Sequence, residues 1–153
     1  MHKRRIIAAS VLLAPFALAA IFLSQSPKAP VIKPSQVYTW DCEYPDVKPE
    51  SIMLTCGDGG MYVDKIKWSR WDSKGAQGIG TYNVNDCDPD CANGTMHAAK
   101  VKVHLSRLTE KDQKFYLRAM VIRSFDGKNL PESGQHYIEW DVMEFAEMMG
   151  EMN

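Results

Sequence analysis

The sequence predicts a mainly β domain, a small antiparallel sandwich or barrel-like sheet held by disulfides, with a hydrophobic helix before it and a short helix after it. Three observations lead there. Apolar and polar residues alternate with a period of two in several runs beyond residue 50, the spacing that sends successive side chains to opposite faces of a strand. Glycine- and asparagine-containing turns separate these runs, as they do where strands reverse direction. Four cysteines follow an apolar N-terminal run, and an even count in an exported chain reads as a disulfide framework. With 45% hydrophobic and 24% charged residues over 153 positions, the composition is globular, which excludes a disordered or collagen-like chain.

His2, Lys3, Arg4 and Arg5 precede Ile6–Leu23, which carries no charge. A basic flank before an apolar run is the pattern of an export signal or a membrane anchor, with the basic end inside and the domain outside. A cleaved signal has an apolar core of about 7 to 15 residues, and a bilayer span takes about 20. This run lies between, so residues 1–24 read as a signal peptide or a signal-anchor. Pro27, Pro30 and Pro34 then make residues 25–36 an extended linker, because proline fixes φ and lacks an amide donor. The domain proper is 37–153. Three of the 18 Lys and Arg residues precede the apolar run whereas all 19 Asp and Glu residues follow it. The domain is therefore net acidic, which argues against nucleic acid as its ligand.

Along the domain, Ser51–Cys56 alternates Ile52 and Leu54 with polar neighbours, and Gly57-Asp58-Gly59-Gly60 supplies a hairpin turn. Met61–Val63 and Lys65–Trp68 alternate again, with Ile66 and Trp68 on one face and both lysines on the other. Ile79–Val84, Ala98–Leu105 and Lys114–Arg123 are three further strands; in the second, Val101, Val103 and Leu105 point inward against Lys100, Lys102 and His104. The Gly75-x-x-Gly78-x-Gly80 run has the wrong order for a dinucleotide turn and lets a strand pass close to an aromatic ring. His136–Trp140 is a last strand. Asp141 three residues before Glu144 is the capping-box spacing, so a helix follows from Val142 to Met149 and ends at Gly150. Phe145, Met148 and Met149 share one face of it. That face either docks on the sheet or takes a partner, since methionine suits adaptable surfaces.

The spacing of the cysteines favours Cys42 with Cys56, flanking the hairpin, and Cys87 with Cys91, within one tight loop. A zinc site from Cys87, Cys91, His97 and His104 has the right residue types and the wrong spacing. Asp86, Asp88 and Asp90 alternate as calcium-loop carboxylates do, but Cys91 stands where that loop needs glycine and His97 where it needs glutamate. The three are kept as candidate binding residues, and no metal or cofactor is expected. Gly-x-Ser-x-Gly, His-Glu-x-x-His, the phosphate-loop ending Gly-Lys-Ser/Thr and Cys-x-x-Cys are all missing from the chain, and no catalytic residue is assigned. Trp68 and Trp71 have opposite parity on one strand, which turns Trp68 inward and Trp71 outward. An outward tryptophan is a candidate platform for a sugar ring or a partner.

Leu54–Leu105 resembles a domain of uncharacterised exported actinobacterial proteins. The resemblance is carried by Cys56 with Asp58 and Gly59, by Trp68 and Trp71, by Ala76, Gly78 and Gly80, and by Asn85, Cys87, Pro89, Cys91, Ala92 and Gly94. It implies export and a small envelope-facing domain, and it brings no activity with it. Two function classes follow. The first is an extracytoplasmic envelope domain that binds a protein or a cell-wall glycan, joined to the membrane through its N-terminal segment. The second is a small secreted cell-wall hydrolase that uses His97 or His104 with a nearby carboxylate.

Overall fold

In the computed structural model, which describes residues 31–42 and 44–150, the expected β-rich class is observed. The predicted signal or anchor, the first part of the linker and the last three residues lie outside the described residues. A single 3₁₀ turn, Pro34–Gln36, leads into β1 (Val37–Asp41), β2 (Tyr44–Asp46) and β3 (Ile52–Met53). The long strands follow: β4 (Met61–Asp72), β5 (Gly75–Asn85), β6 (Met96–Lys111) and β7 (Lys114–Ser124). β8 (Tyr137–Asp141) and α1 (Glu144–Met149) end the chain. The sheet order is β2-β1-β7-β6-β5-β4-β3, with β8 also paired to β7.

Each of β4 to β7 carries its own alternation, and each is antiparallel to the next. The predicted facing of β6 is observed: Val101, Val103 and Leu105 are buried, while Lys100, Lys102 and His104 are exposed. The predicted hairpin turn is also present, closed by Leu54 N–H to the Met61 carbonyl at 2.9 Å and Gly59 N–H to the Thr55 carbonyl at 3.0 Å. Its first strand is shorter than predicted, because only Ile52 and Met53 pair with β4.

The sheet is mixed rather than purely antiparallel. β1 lies parallel to the start of β7, with Val37 opposite Phe115 and Tyr38 opposite Tyr116. β1 has little alternation of its own, and distant partners fix it: Thr39 Oγ1 donates to the Leu117 carbonyl at 3.2 Å. In a flat sheet β1 and β3 would stand five strand spacings apart, about 24 Å. Instead the Asp41 carboxylate accepts from Met53 N–H at 2.7 Å and Cys42 is bonded to Cys56. The sheet therefore curls into a half-barrel, and the disulfide joins its two flanks.

The outward orientation expected of Trp71 is corrected. Trp71 is only 5% exposed and belongs to the main core. The strand parity fails because β4 bulges twice, between Asp64 and Lys67 and between Trp68 and Arg70. The second bulge inserts one residue and rotates the strand by one position. Trp68 therefore faces Gly78 and Trp71 faces Ala76, on the same side of the sheet. The two rings meet edge to face with centroids 4.8 Å apart, an arrangement favoured by the ring quadrupoles. Trp68 Nε1 donates to the Pro49 carbonyl at 2.8 Å and Trp71 Nε1 to the Val37 carbonyl at 2.9 Å. The glycine expectation holds: a Cβ on Gly78 would lie 3.0 Å from both the Lys67 carbonyl oxygen and the Trp68 ring.

The helix is shorter than predicted, and its cap and docked face both differ. It begins at Glu144 without a side-chain cap: Asp141 Oδ1 accepts from Met143 N–H at 3.1 Å, ahead of the first helical residue, and Oδ2 takes Arg118 and, at 3.1 Å, Arg107. Met143 and Ala146 are the residues it buries, against Trp40 and Tyr116 in a second small core. Phe145 is half-buried, and Met148 and Met149 are 72% and 58% exposed. Gly150 ends the helix with φ of 75°, the left-handed stop that glycine accommodates.

Trp71→Ala should lower stability by about 3 to 5 kcal/mol, as truncating a buried aromatic does. Gly78→Val should cost about 1 to 3 kcal/mol through overpacking. Urea unfolding of the full chain reads both, and a Trp71→Ala change within about 0.5 kcal/mol of wild type would remove that ring from the core. The disulfides are unequal in the same way. Cys42 and Cys56 are separated by 14 positions and Cys87 and Cys91 by 4. Replacing the first pair by serine should cost about 3 kcal/mol and replacing the second less, a ranking that thermal melts of the two double variants will test.

Candidate functional site

The loop between β5 and β6 holds the three candidate aspartates. The Cys87–Cys91 bond closes it, as the spacing predicts. Asp86 accepts backbone N–H groups from Asp88 at 3.1 Å and Thr95 at 2.8 Å on one oxygen, and faces His97 Nε2 at 3.0 Å with the other. Asp90 accepts from the Ala92 and Asn93 amides and from the Asn93 side chain. Both carboxylates therefore organise their own loop. Asp88 is exposed and does not converge with them on a common point. No cluster able to hold a metal is found among the described residues, and the disulfide consumes the two thiols that a zinc site would need.

The amides of Thr95 and Asp88 together with His97 hold the Asp86 carboxyl at about 2, well below its ordinary value. This is stabilisation of the charged form by donors that point at it. His97 thus pins the loop through Asp86. His104 shares a shallow depression with Glu139 and Arg123 on the sheet, without a hydrogen bond between its ring and the carboxylate. All four cysteines are oxidised. That state suits an oxidising, extracytoplasmic compartment.

At the C-terminus, Arg118 on β7 gathers the acidic groups. Its guanidinium takes Asp141 through Nε and forks onto Glu147 at 2.9 and 2.7 Å, the two-pronged geometry that arginine favours. The helix is held to the sheet by this pair and by Met143 and Ala146. Phe145 and Met149 face a shallow groove that also contains Tyr44 and the Cys42–Cys56 disulfide, and Met148 points to solvent.

The most distinctive surface is the outer face of the sheet, which was read from the sequence only as polar strand residues. Register aligns Lys67, Ile79, Lys102, Arg123 and Tyr137 in one row across β4, β5, β6, β7 and β8. Lys65 and Lys100 flank that row. None of these five cations forms an ion pair among the described residues. Lys102 and Arg123 stand directly opposite each other, a like-charge pairing that opposes sheet formation. Aromatic rings offset it: Lys100 and Lys102 lie 4.4 and 5.5 Å from the Phe125 centroid, and Arg123 lies 5.0 Å from Tyr137. Beside the row, Lys65, Lys67 and Lys100 rim a groove of about 540 Å³ floored by Ile79, Ala98 and Ala99. Asp64 and Glu139 lie near these five cations, and the other acids that register places on this face, Asp72 and Asp141, are each paired with arginine, so the patch is positive on a net acidic domain.

No family model, curated protein or solved structure matches the chain. The resemblance of Leu54–Leu105 to exported actinobacterial domains thus rests on its motifs alone. The described residues contain no helix long and apolar enough to cross a membrane, and the Ile6–Leu23 run lies outside them.

Because the folded-state value of Asp86 is depressed, its contribution to stability is present above the ordinary aspartate value of 3.8 and is lost as the pH falls to about 2. Asp72, held at about 2 by Arg70 and the Lys74 amide, acts in the same window and direction. Asp86→Asn should therefore reduce the acid limb of a melting-temperature profile between pH 4 and 2, leaving the parts due to Asp72 and to Asp58, Asp90 and Asp126, whose carboxyls are also held below the ordinary value. An unchanged limb would mean that Asp86 is not tied to the loop amides.

Proposed function

We propose that this protein is a non-enzymatic binding domain of the cell envelope whose ligand is an acidic glycan held on the outer face of the sheet. The observation that carries the reading is the in-register row of Lys67, Lys102 and Arg123 beside the groove rimmed by Lys65 and Lys100. Carboxylate or phosphate groups on a sugar chain would meet cations that have no acidic partner, and would relieve the repulsion between Lys102 and Arg123. The exposed apolar surface of Ile79 and the small Ala98 leave room for the carbon face of a sugar ring. Two disulfides and the leader-like basic and apolar N-terminus support an extracytoplasmic location. An envelope that presents acidic polymers would bring a net acidic domain to its ligand through this one patch.

Calorimetric titration of the full chain with polygalacturonate, against neutral dextran as control, tests the reading. The acidic polymer should bind, more weakly as salt rises, and the dextran should not. Lys102→Glu combined with Arg123→Glu should weaken binding about tenfold or more and keep the wild-type melting temperature. Equal affinity for both polymers, or an unaffected double variant, would overturn the assignment.

A further inference from the structure

The opposite face of β5 contains a polar group that the fold leaves unused. Tyr82 is fully buried, and its hydroxyl has no hydrogen-bond partner among the described residues. An unpaired buried hydroxyl forfeits its hydration without compensation, so such a group calls for a ligand or an ordered water. Tyr82 lines a cleft of about 550 Å³, within the size range of small-ligand sites. One wall is the β3–β4 hairpin, at Thr55 and Met61. The other is β8, of which four consecutive residues from Tyr137 to Trp140 line the cleft. Neighbouring residues on a strand point to opposite faces, so four in succession mean that the strand edge itself forms this wall. β8 pairs only with β7, which leaves that edge unpaired.

The polar groups of the cleft share a chemical character. Glu132 and Gln135 line it along with Tyr82, and no Lys, Arg or His does; Glu139 takes part only as a piece of the strand edge, its side chain belonging to the outer face. The side chains of Tyr82, Glu132 and Gln135 are not hydrogen-bonded within the described residues. Burial, and then the Glu132 carboxylate, push the Tyr82 phenol above its ordinary value. A carboxylate in the cleft disfavours an anion. An ammonium would satisfy that carboxylate, but it has donors only and would leave the Tyr82 O–H and the Gln135 amide N–H groups with nothing to donate to. A hydroxyl both donates and accepts. Met61, Ile138 and Trp140 add apolar surface for the carbon face of a ring.

We propose that this cleft binds a neutral sugar unit, with the Tyr82 hydroxyl, the Glu132 carboxylate and the Gln135 amide hydrogen-bonding its hydroxyl groups. The site is separate from the basic face and does not depend on that reading.

The test is a titration of the full chain with the disaccharide of N-acetylglucosamine, with choline as a cationic probe and with galacturonate, added to the Lys102→Glu and Arg123→Glu double variant so that the basic face does not contribute, as an anionic one. The disaccharide should bind saturably and the two charged probes should not. Tyr82→Phe removes only the hydroxyl, and should weaken binding about three- to tenfold, the worth of one hydrogen bond. The same variant should melt at or above the wild-type temperature, because the free domain loses an unpaired polar group. Glu132→Ala, on an exposed loop, should weaken binding similarly, whereas Lys102→Glu with Arg123→Glu should leave it unchanged. The proposal is overturned by failure of the disaccharide to saturate, by preferential binding of choline or galacturonate, by wild-type affinity in Tyr82→Phe, or by loss of binding in the basic-face variant.

Discussion

Two indole rings on one side of β4, pressed against a strand that offers them glycine and alanine, set the geometry on which the rest of this domain depends. Gly78 lets the Trp68 ring approach the backbone, and Ala76 faces Trp71. With both rings on the inner side, each indole N–H reaches a carbonyl in the N-terminal part of the domain, at Pro49 and at Val37. The pair thus fills the curl of the sheet and also bonds the first strand to the fourth. Without the bulge beyond Trp68, one of these rings would face solvent and Val37 would lose a partner.

The inner and outer faces of the sheet have opposite requirements, and the same strands meet both. Inside, β5 and β6 supply Tyr82, Val84, Val101, Val103 and Leu105, all buried. Outside, the residues between them include Ile79, Lys100 and Lys102, together with the small Ala98 and Thr81 that leave a depression. A face chosen only for solubility would mix the signs of its charges. Here five cations stand without acidic partners in contact among the described residues, and three of them, Lys100, Lys102 and Arg123, lie over aromatic rings.

The four long strands and the hairpin turn were legible in the sequence because each carries its own alternation and its own turn residues. Both disulfides followed from spacing for the same local reason. The parallel position of β1 was not legible: its partners, Phe115 and Tyr116, lie almost eighty residues away, and nothing in Val37–Asp41 encodes the direction of pairing. Trp71 was misplaced because a bulge changes parity without changing composition. Asp141 looked like a helix cap by spacing; it accepts from the Met143 amide just before the helix with one oxygen, and takes Arg118, from another strand, with the other. The basic face was half-visible, since the lysines of β6 were read as outward. Only the register shows that Lys67, Lys102 and Arg123 lie in one row.

The parallel pairing of β1 also bears on the order in which the chain can assemble. β1 is the first strand to emerge during synthesis, yet its neighbour β7 is almost the last, so its docking carries the largest loop-closure entropy in the sheet. The β4-to-β7 meander needs only nearest-neighbour hairpins and can form before β1 finds its place. Cys42 and Cys56 are separated by only 14 positions, which lets them join while the search is still under way. Once joined, they tether β1 to the hairpin that leads into β4, and a search over the whole domain becomes a short swing across the mouth of the curl. In this light the bond works as a kinetic guide as well as a staple, and its value is greatest before the native sheet exists.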